Sequence, residues 1–153
     1  MTNPTTIGVI GAGYWGPNLI RNFSHLKGAE VTVVCDVDQG RLDHVSSLFP
    51  SVRTTTDWKE LIASDLDAVC IATPVRLHYE MAAAALASGK HVLVEKPLTA
   101  DVGQARELVA LAEQNDRVLL VDHTFVYSPA VNHMRDIVAS GDIGDVHYVS
   151  MSR

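Results

Sequence analysis

Ile7-Gly8-Val9-Ile10-Gly11-Ala12-Gly13-Tyr14-Trp15-Gly16 carries three glycines in G-x-G-x-x-G spacing directly behind an apolar run, and this stretch decides the fold. An amphipathic segment over residues 18–27 comes next, then a second apolar run, Val31-Thr32-Val33-Val34-Cys35, which ends at Asp36, 20 residues beyond Gly16. A strand, a glycine turn, a helix and a second strand closed by an acid make up the βαβ unit that binds dinucleotides. Gly11 permits the tight turn out of the strand, Gly13 leaves bare backbone for a pyrophosphate, and Gly16 lets the helix pack closely on the strand. Phosphates placed there meet unpaired N–H groups and the positive end of a helix dipole. Pro17 suits the first helical turn, where its missing N–H loses no intrahelical partner. Ordinary turn glycines would show the same spacing; the flanking strand, helix and distant acid separate the two readings.

The alternation continues along the chain. Apolar runs over residues 7–10, 31–35, 68–72, 91–95 and 118–121 are separated by segments with helical spacing, such as 77–88 and 101–114. This predicts an α/β fold, a doubly wound parallel sheet with crossover helices. Gly89 falls where a left-handed cap closes the alanine-rich helix before it, and the Asp101 carboxylate can cap the helix that follows. A further helix over about residues 130–139 ends at Ser140-Gly141. A strand-like stretch, 145–153, then stops abruptly and reads as cut. The expected organisation is a dinucleotide-binding Rossmann domain over 1–140 and the start of a second domain over 141–153.

With 153 residues, 47% hydrophobic and 20% charged, the chain can close one ordinary globular core. Its net charge of -6, with no Lys/Arg cluster, argues against a nucleic-acid partner. No apolar run reaches the length of a membrane span, and Met1-Thr2-Asn3-Pro4 lacks the features of a signal peptide. A cytoplasmic location without a membrane partner is therefore expected. Cys35 and Cys70 lie in apolar runs without C-x-x-C spacing and read as buried small hydrophobes. The seven histidines form neither H-E-x-x-H nor a Cys/His cluster, so no metal is expected.

Three places at strand ends bear chemistry. Asp36 is placed to accept hydrogen bonds from both ribose hydroxyls, whereas Asp38 is expected to face solvent. A 2′-phosphate beside the Asp36 carboxylate would be repelled, by about 3 kcal/mol for unit charges ~5 Å apart at an effective dielectric of ~20. This favours NAD over NADP. Arg41 is the nearby cation that could reverse the preference, but it is expected on the following helix as a solvated charge. Thr73-Pro74 closes the third strand-like run, and His78 follows in the next helix; either could touch the nicotinamide half of a cofactor. Thr73 could equally cap that helix, and His78 could be a polar residue on an apolar helix. Glu95-Lys96-Pro97 ends the fourth run. A lysine held there beside a glutamate, and restricted by a proline, suits orienting a hydroxyl while hydride leaves the same carbon. An exposed ion pair at a strand end is the plainer reading.

Gly8-Val9-Ile10-Gly11-Ala12-Gly13-Tyr14-Trp15-Gly16, Ala72-Thr73-Pro74 with His78, Gly89-Lys90-His91-Val92-Leu93-Val94-Glu95-Lys96-Pro97-Leu98 and Gly141-Asp142-Ile143-Gly144 together resemble the glucose-fructose oxidoreductase/inositol dehydrogenase/MocA family. Within it, Gly13-Tyr14-Trp15-Gly16-Pro17-Asn18-Leu19 and His123-Thr124-Phe125-Val126-Tyr127-Ser128-Pro129-Ala130-Val131 resemble the branch of UDP-N-acetylhexosamine and uronate 3-dehydrogenases. The resemblance implies that Gly11, Gly13, Tyr14, Trp15 and Gly16 line the pyrophosphate turn and that Asp36 holds the adenosine ribose of NAD. It implies further that Thr73, Pro74, His78, Glu95 and Lys96 surround the nicotinamide, with Lys96 catalytic and His123 near the same pocket. His123 could also be no more than a polar residue at a strand end. Asp122 stands where the family often has glycine, and Ser128 where asparagine is frequent.

Members of that family continue into a second α/β domain that carries sugar contacts, usually an Asp/His pair, and the oligomer interface. No His or Asp of this chain matches that pair. The resemblance therefore implies a homo-oligomer for the complete protein, and a chain that binds cofactor here without turning over sugar by itself. Three readings stand beside one another: the cofactor domain of an NAD-dependent sugar or sugar-nucleotide dehydrogenase, a non-catalytic NAD-binding sensor or docking module, and a dehydrogenase fragment with no affinity for sugars. Glu95-Lys96-Pro97 favours the first, because a sensor needs the glycine turn and Asp36 but no placed lysine.

Overall fold

The structure, a computed structural model, describes residues 3–150. They form two compact units, one running to Asp122 and the other beginning at His123. In the first unit β1 (Thr5–Ile10), β2 (Ala29–Cys35), β3 (Arg53–Thr55), β4 (Ala68–Ile71), β5 (His91–Val94) and β6 (Leu119–Val121) build one sheet in the order β3-β2-β1-β4-β5-β6. Every neighbouring pair is parallel. The connections are α1 (Gly16–His25), α2 (Gln39–Leu48), α3 (Trp58–Ala63), α4 (His78–Ala87) and α5 (Val102–Gln114).

The strands read as apolar runs because both faces of the sheet are covered. Ile7 and Val9 of β1 and Val31 and Val34 of β2 share one core with Ile20 of α1 and Leu42 and Val45 of α2. Ile10, Val69, Ile71, Val92 and Val94 face the other way, onto Leu61, Met81, Ala82, Leu86 and Leu108. Cys70, between Val69 and Ile71, belongs to the first core, as the two-residue alternation of a strand requires. Both cysteines are free and buried. Gly89 closes α4 at a φ of 74°, and the Asp101 carboxylate accepts the Gln104 N–H at 3.0 Å, so both expected caps form. Two short elements have no counterpart in the sequence reading: β3, and α3 with its Asp57 cap.

The chain steps outward from β1 to β2 and β3, then returns to β4 on the other side of β1. Loops leaving β1 and β4 consequently diverge at their carboxyl ends and open a crevice, the usual ligand position in such sheets. The ladder runs one residue beyond the strands at this edge. The N–H groups of Asp36, Gly11, Ala72, Glu95 and Asp122 donate to Thr55, Cys35, Ile10, Ile71 and Val94 at 3.3, 2.7, 2.8, 2.9 and 2.9 Å. These five residues form a row along the edge of the sheet.

The second unit holds a 3-10 turn, Thr124–Tyr127, and α6 (Pro129–Ser140), with Pro129 in its first turn and Gly141 at a φ of 77° after its end. The expected strand over 145–153 does not form over residues 145–150, which have no regular structure; 151–153 lie outside the described residues. Alternating apolar residues such as Val146 and Tyr148 make a strand only where a neighbour takes their backbone groups.

Candidate functional site

A cleft of about 470 Å³ opens over the carboxyl edge of the sheet. Its volume lies in the range of small-molecule sites. The glycine turn forms one wall, with Gly11, Gly13, Tyr14 and Trp15; the β2 end contributes Asp36 and Val37; Thr73, Pro74 and Arg76 follow β4; Glu95 and Lys96 follow β5. Nine of the twelve expected cofactor residues thus line one cleft, namely Gly11, Gly13, Tyr14, Trp15, Asp36, Thr73, Pro74, Glu95 and Lys96.

Gly11 has a φ of 100°, and a Cβ there would lie 2.5 Å from the Ala72 carbonyl oxygen, so the close approach of β1 and β4 at the crevice requires glycine. Gly16 lies behind the turn instead of on the cleft. A Cβ on it would collide with the Gly11 carbonyl oxygen, which is the close helix-to-strand packing expected of the third glycine. At Gly13 the only neighbour of an added Cβ is Arg41 Nη1, 3.6 Å away. The backbone there is open to a ligand.

Asp36 is 7% exposed. Its Oδ2 accepts the Ala12 N–H at 2.7 Å and its Oδ1 the Asp38 N–H at 2.9 Å, stitching the glycine turn to the end of β2. Oδ1 keeps lone-pair capacity for a hydroxyl. Asp38 is exposed, as expected, and its Oδ1 also caps α2, accepting from Gly40 and Arg41.

Arg41 departs from expectation. It lies on α2, but it is not simply a solvated charge: Nη1 is 3.4 Å from Asp36 Oδ2, Nε is 3.7 Å from Asp38 Oδ2, and the side chain lines the cleft. The cause is the immediate start of α2 after Asp38, which puts residue 41 in the first turn above the β2 end. Arg41 and Arg76, two cations on the cleft wall, belong to no motif. Their one sequence signal is nearness, to Asp36 and to Thr73-Pro74 respectively.

His78 does not line the cleft. It is 1% exposed, with Nδ1 2.9 Å from the Pro97 carbonyl oxygen and Nε2 2.7 Å from that of Thr73. The ring therefore ties the segment after β4 to the segment after β5. Thr73 does not cap a helix; its hydroxyl points at Met81 Sδ, 3.7 Å away. Glu95 is buried and Lys96 exposed, so at consecutive positions one charge sinks and the other reaches the cleft. Glu95 Oε2 accepts the Lys96 N–H at 3.2 Å, and the Lys96–Pro97 peptide is cis. Burial, and then the Asp122 charge, push the Glu95 carboxyl above its ordinary range, while the Lys96 N–H and ammonium oppose them. His123 belongs to the second unit, where its carbonyl accepts the Val126 N–H at 3.0 Å. Cys35 also lines the cleft, but burial, and then the Asp36 charge, push its thiol up to about 12, which denies it a nucleophilic thiolate.

Glycine turn, helix start, paired acid and open crevice together fit a dinucleotide. Residues 5–123 match the oxidoreductase family with an NAD-binding Rossmann fold. The chain belongs to this family. It is 33% identical over 141 residues to inositol 2-dehydrogenase of Rhodococcus erythropolis (strain PR4), an alignment that covers 90% of this chain and 41% of that protein. Over 88 residues it is 46% identical to dTDP-3,4-didehydro-2,6-dideoxy-alpha-D-glucose 3-reductase of Streptomyces violaceoruber, covering 58% of this chain and 26% of that one. Among solved structures, a variant 3-ketoreductase from Actinomadura kijaniata in complex with TDP-benzene and NADP superposes with a TM-score of 0.83 at 30% identity, over 94% of this chain and 46% of that one. The chain spans less than half the length of the curated relatives it matches. It is the NAD-binding domain of an oxidoreductase family whose named members include dehydrogenases and reductases.

Proposed function

We propose that this chain is the cofactor half of an enzyme that moves hydride between a nicotinamide and a hydroxyl-bearing carbon of a nucleotide-linked sugar, C3 of a UDP-N-acetylhexosamine or its uronate. The observation that carries this reading is the Lys96 amine at the cleft edge, beside a buried Glu95 that accepts its backbone N–H. A protein that only held a dinucleotide would need the glycine turn and Asp36 but no cation at this point. The 3-reductase similarity supports a nucleotide-linked sugar and chemistry at C3.

When bound, nicotinamide supplies the hydride acceptor or donor. Lys96 Nζ hydrogen-bonds the substrate oxygen and takes its proton as the carbon is oxidised, or returns it in reduction. Glu95 holds the lysine backbone in place. Asp36 holds the adenosine ribose, Gly13 admits the pyrophosphate, and Thr73 and Pro74 wall the nicotinamide side. The sugar itself is held in a near-attack pose by a second domain, and the complete protein is a homo-oligomer.

The test uses the complete reading frame that carries this chain, supplied with NAD and, separately, UDP-N-acetylglucosamine, its uronate, a dTDP-hexose and free myo-inositol. Absorbance of the reduced cofactor reports turnover. Turnover with UDP-linked sugars, lowered ~10²-fold or more by Lys96→Ala at nearly unchanged NAD affinity, is expected. Turnover confined to free inositol would overturn the substrate class, and a fully active Lys96→Ala enzyme would remove the lysine from the mechanism.

A further inference from the structure

Strands β5 and β6 run parallel in the register Val92 to Leu119, Leu93 to Leu120 and Val94 to Val121. The ladder continues past them, with the Asp122 N–H donating to the Val94 carbonyl at 2.9 Å. Glu95 and Asp122 are therefore the next register pair. In-register neighbours of a parallel sheet project to the same face, on strands about 4.8 Å apart. Val92 and Val94 face the core that holds Ile71 and Leu108, so Glu95 and Asp122 face the opposite side, the side of Cys70. Two carboxyl residues thus stand side by side on neighbouring strand ends, and Glu95, 8% exposed, lines the cleft.

Two ionised carboxylates on adjacent strand ends repel in a partly dehydrated site, whereas one proton between them converts repulsion into a charge-assisted O–H···O⁻ bond. We propose that Asp122 is a positioning residue: with Glu95 it forms an acid pair that holds one proton, and the pair presents Lys96 with one negative charge instead of two. The proton comes from solvent and rests on either carboxyl oxygen, with no other group consumed. The functional consequence rests on the reading that Lys96 works in the cleft. A doubly charged pair would draw the lysine Nζ onto itself, while a singly charged pair leaves it free to turn toward a substrate oxygen.

Among the described residues, Lys96 and Cys70 are the groups whose charge interactions with the pair are resolved. Burial and Asp122 raise the Glu95 carboxyl, and the Lys96 N–H and ammonium lower it. From β4, Cys70 feels Asp122 as well; burial first and that charge second raise its thiol to about 12, so it stays neutral beside the pair. From α4, His78 reaches the Pro97 carbonyl next to Lys96.

Side-chain carboxyl ¹³C resonances of Glu95 and Asp122, with the Lys96 amide that hydrogen-bonds Glu95, report the titration directly in this chain. In the unmodified chain both carboxyl resonances are expected to move together in two steps, because the protons belong to the pair. Asp122→Asn keeps the shape and removes the charge; it is expected to lower the Glu95 midpoint by about one pH unit, a tenfold loss of proton affinity. A single Glu95 step in the ordinary glutamate range, unmoved by Asp122→Asn, overturns the pair. In the complete enzyme the pH profile of kcat is expected to shift by the same interval in Asp122→Asn, with KM for the sugar little changed. A profile that stays still while the carboxyl midpoint moves overturns the positioning role and leaves the pair structural. An active Lys96→Ala enzyme with an intact two-step titration counts against the lysine, and not against the pair.

Discussion

Arg41 Nη1 lies 3.4 Å from Asp36 Oδ2, so the cation that could welcome a 2′-phosphate is held by the anion that repels it. The pair is half-exposed on the arginine side, which limits how strongly either partner is neutralised. Its net effect on cofactor choice favours NAD, because the buried carboxylate is fixed by two backbone N–H groups and the guanidinium is not. Titration of Trp15 fluorescence is expected to show NAD binding about 10- to 100-fold tighter than NADP, part of the bare Coulomb difference being offset by Arg41. Arg41→Ala should widen the gap and Asp36→Ser should narrow it. Equal affinities in the unmodified chain would refute this account.

Gly11 and Gly13 separate fold from ligand. Gly11→Ala forces a positive φ on a residue with a Cβ and drives that carbon into the Ala72 carbonyl, so a loss of about 2 kcal/mol or more is expected in chemical denaturation. Gly13→Ala meets only the tip of Arg41 and should leave the denaturation midpoint within about 0.5 kcal/mol of the original. Its cost falls on NAD, whose affinity should drop roughly tenfold or more as the methyl group occupies the pyrophosphate approach. A Gly13→Ala chain that binds NAD normally would remove that residue from the phosphate site.

His78→Phe preserves ring size and removes both ties to the Thr73 and Pro97 carbonyls. The backbone acceptor that the ring N–H serves then loses its donor, at an expected cost of about 1–3 kcal/mol. The urea midpoint should fall with an unchanged slope. An unchanged midpoint would show that the ring does not join the two walls.

Cys35 and Cys70 both have thiols pushed up to about 12 in the folded chain, chiefly by burial. Unfolded thiols ionise from about pH 8.5, so above that the folded state binds more protons than the unfolded one. The thiol contribution to stability is therefore whole below that pH and is lost progressively toward about pH 12. A thiol-reactive disulfide reagent at about pH 8 should find neither cysteine in the native chain and both after denaturation. Rapid labelling of the native chain would contradict this burial.

The parallel sheet and the glycine turn were legible because strand, turn and acid each leave a periodic or compositional mark. The caps at Gly89 and Asp101 were legible for the same reason. β3 was not: Arg53, Thr54 and Thr55 form three polar or half-buried positions at the sheet margin, too short for any alternation. His78 left its role open because α4 is largely apolar, and a buried polar residue there has no sequence mark of what it bonds. Arg41 lies on the expected helix but pairs with Asp36 instead of pointing to solvent alone, since its direction follows from where α2 begins. The pairing of Glu95 with Asp122 required the β5–β6 register, which no local pattern encodes.

Ala72, Glu95 and Asp122 sit one residue past the paired strands, each tied to its neighbouring strand by its own backbone N–H. Their side chains can change without disturbing either core, so selection can rewrite the chemistry of this edge while the scaffold stays intact. A combinatorial library restricted to these three codons would explore new reactivity at little cost in foldability.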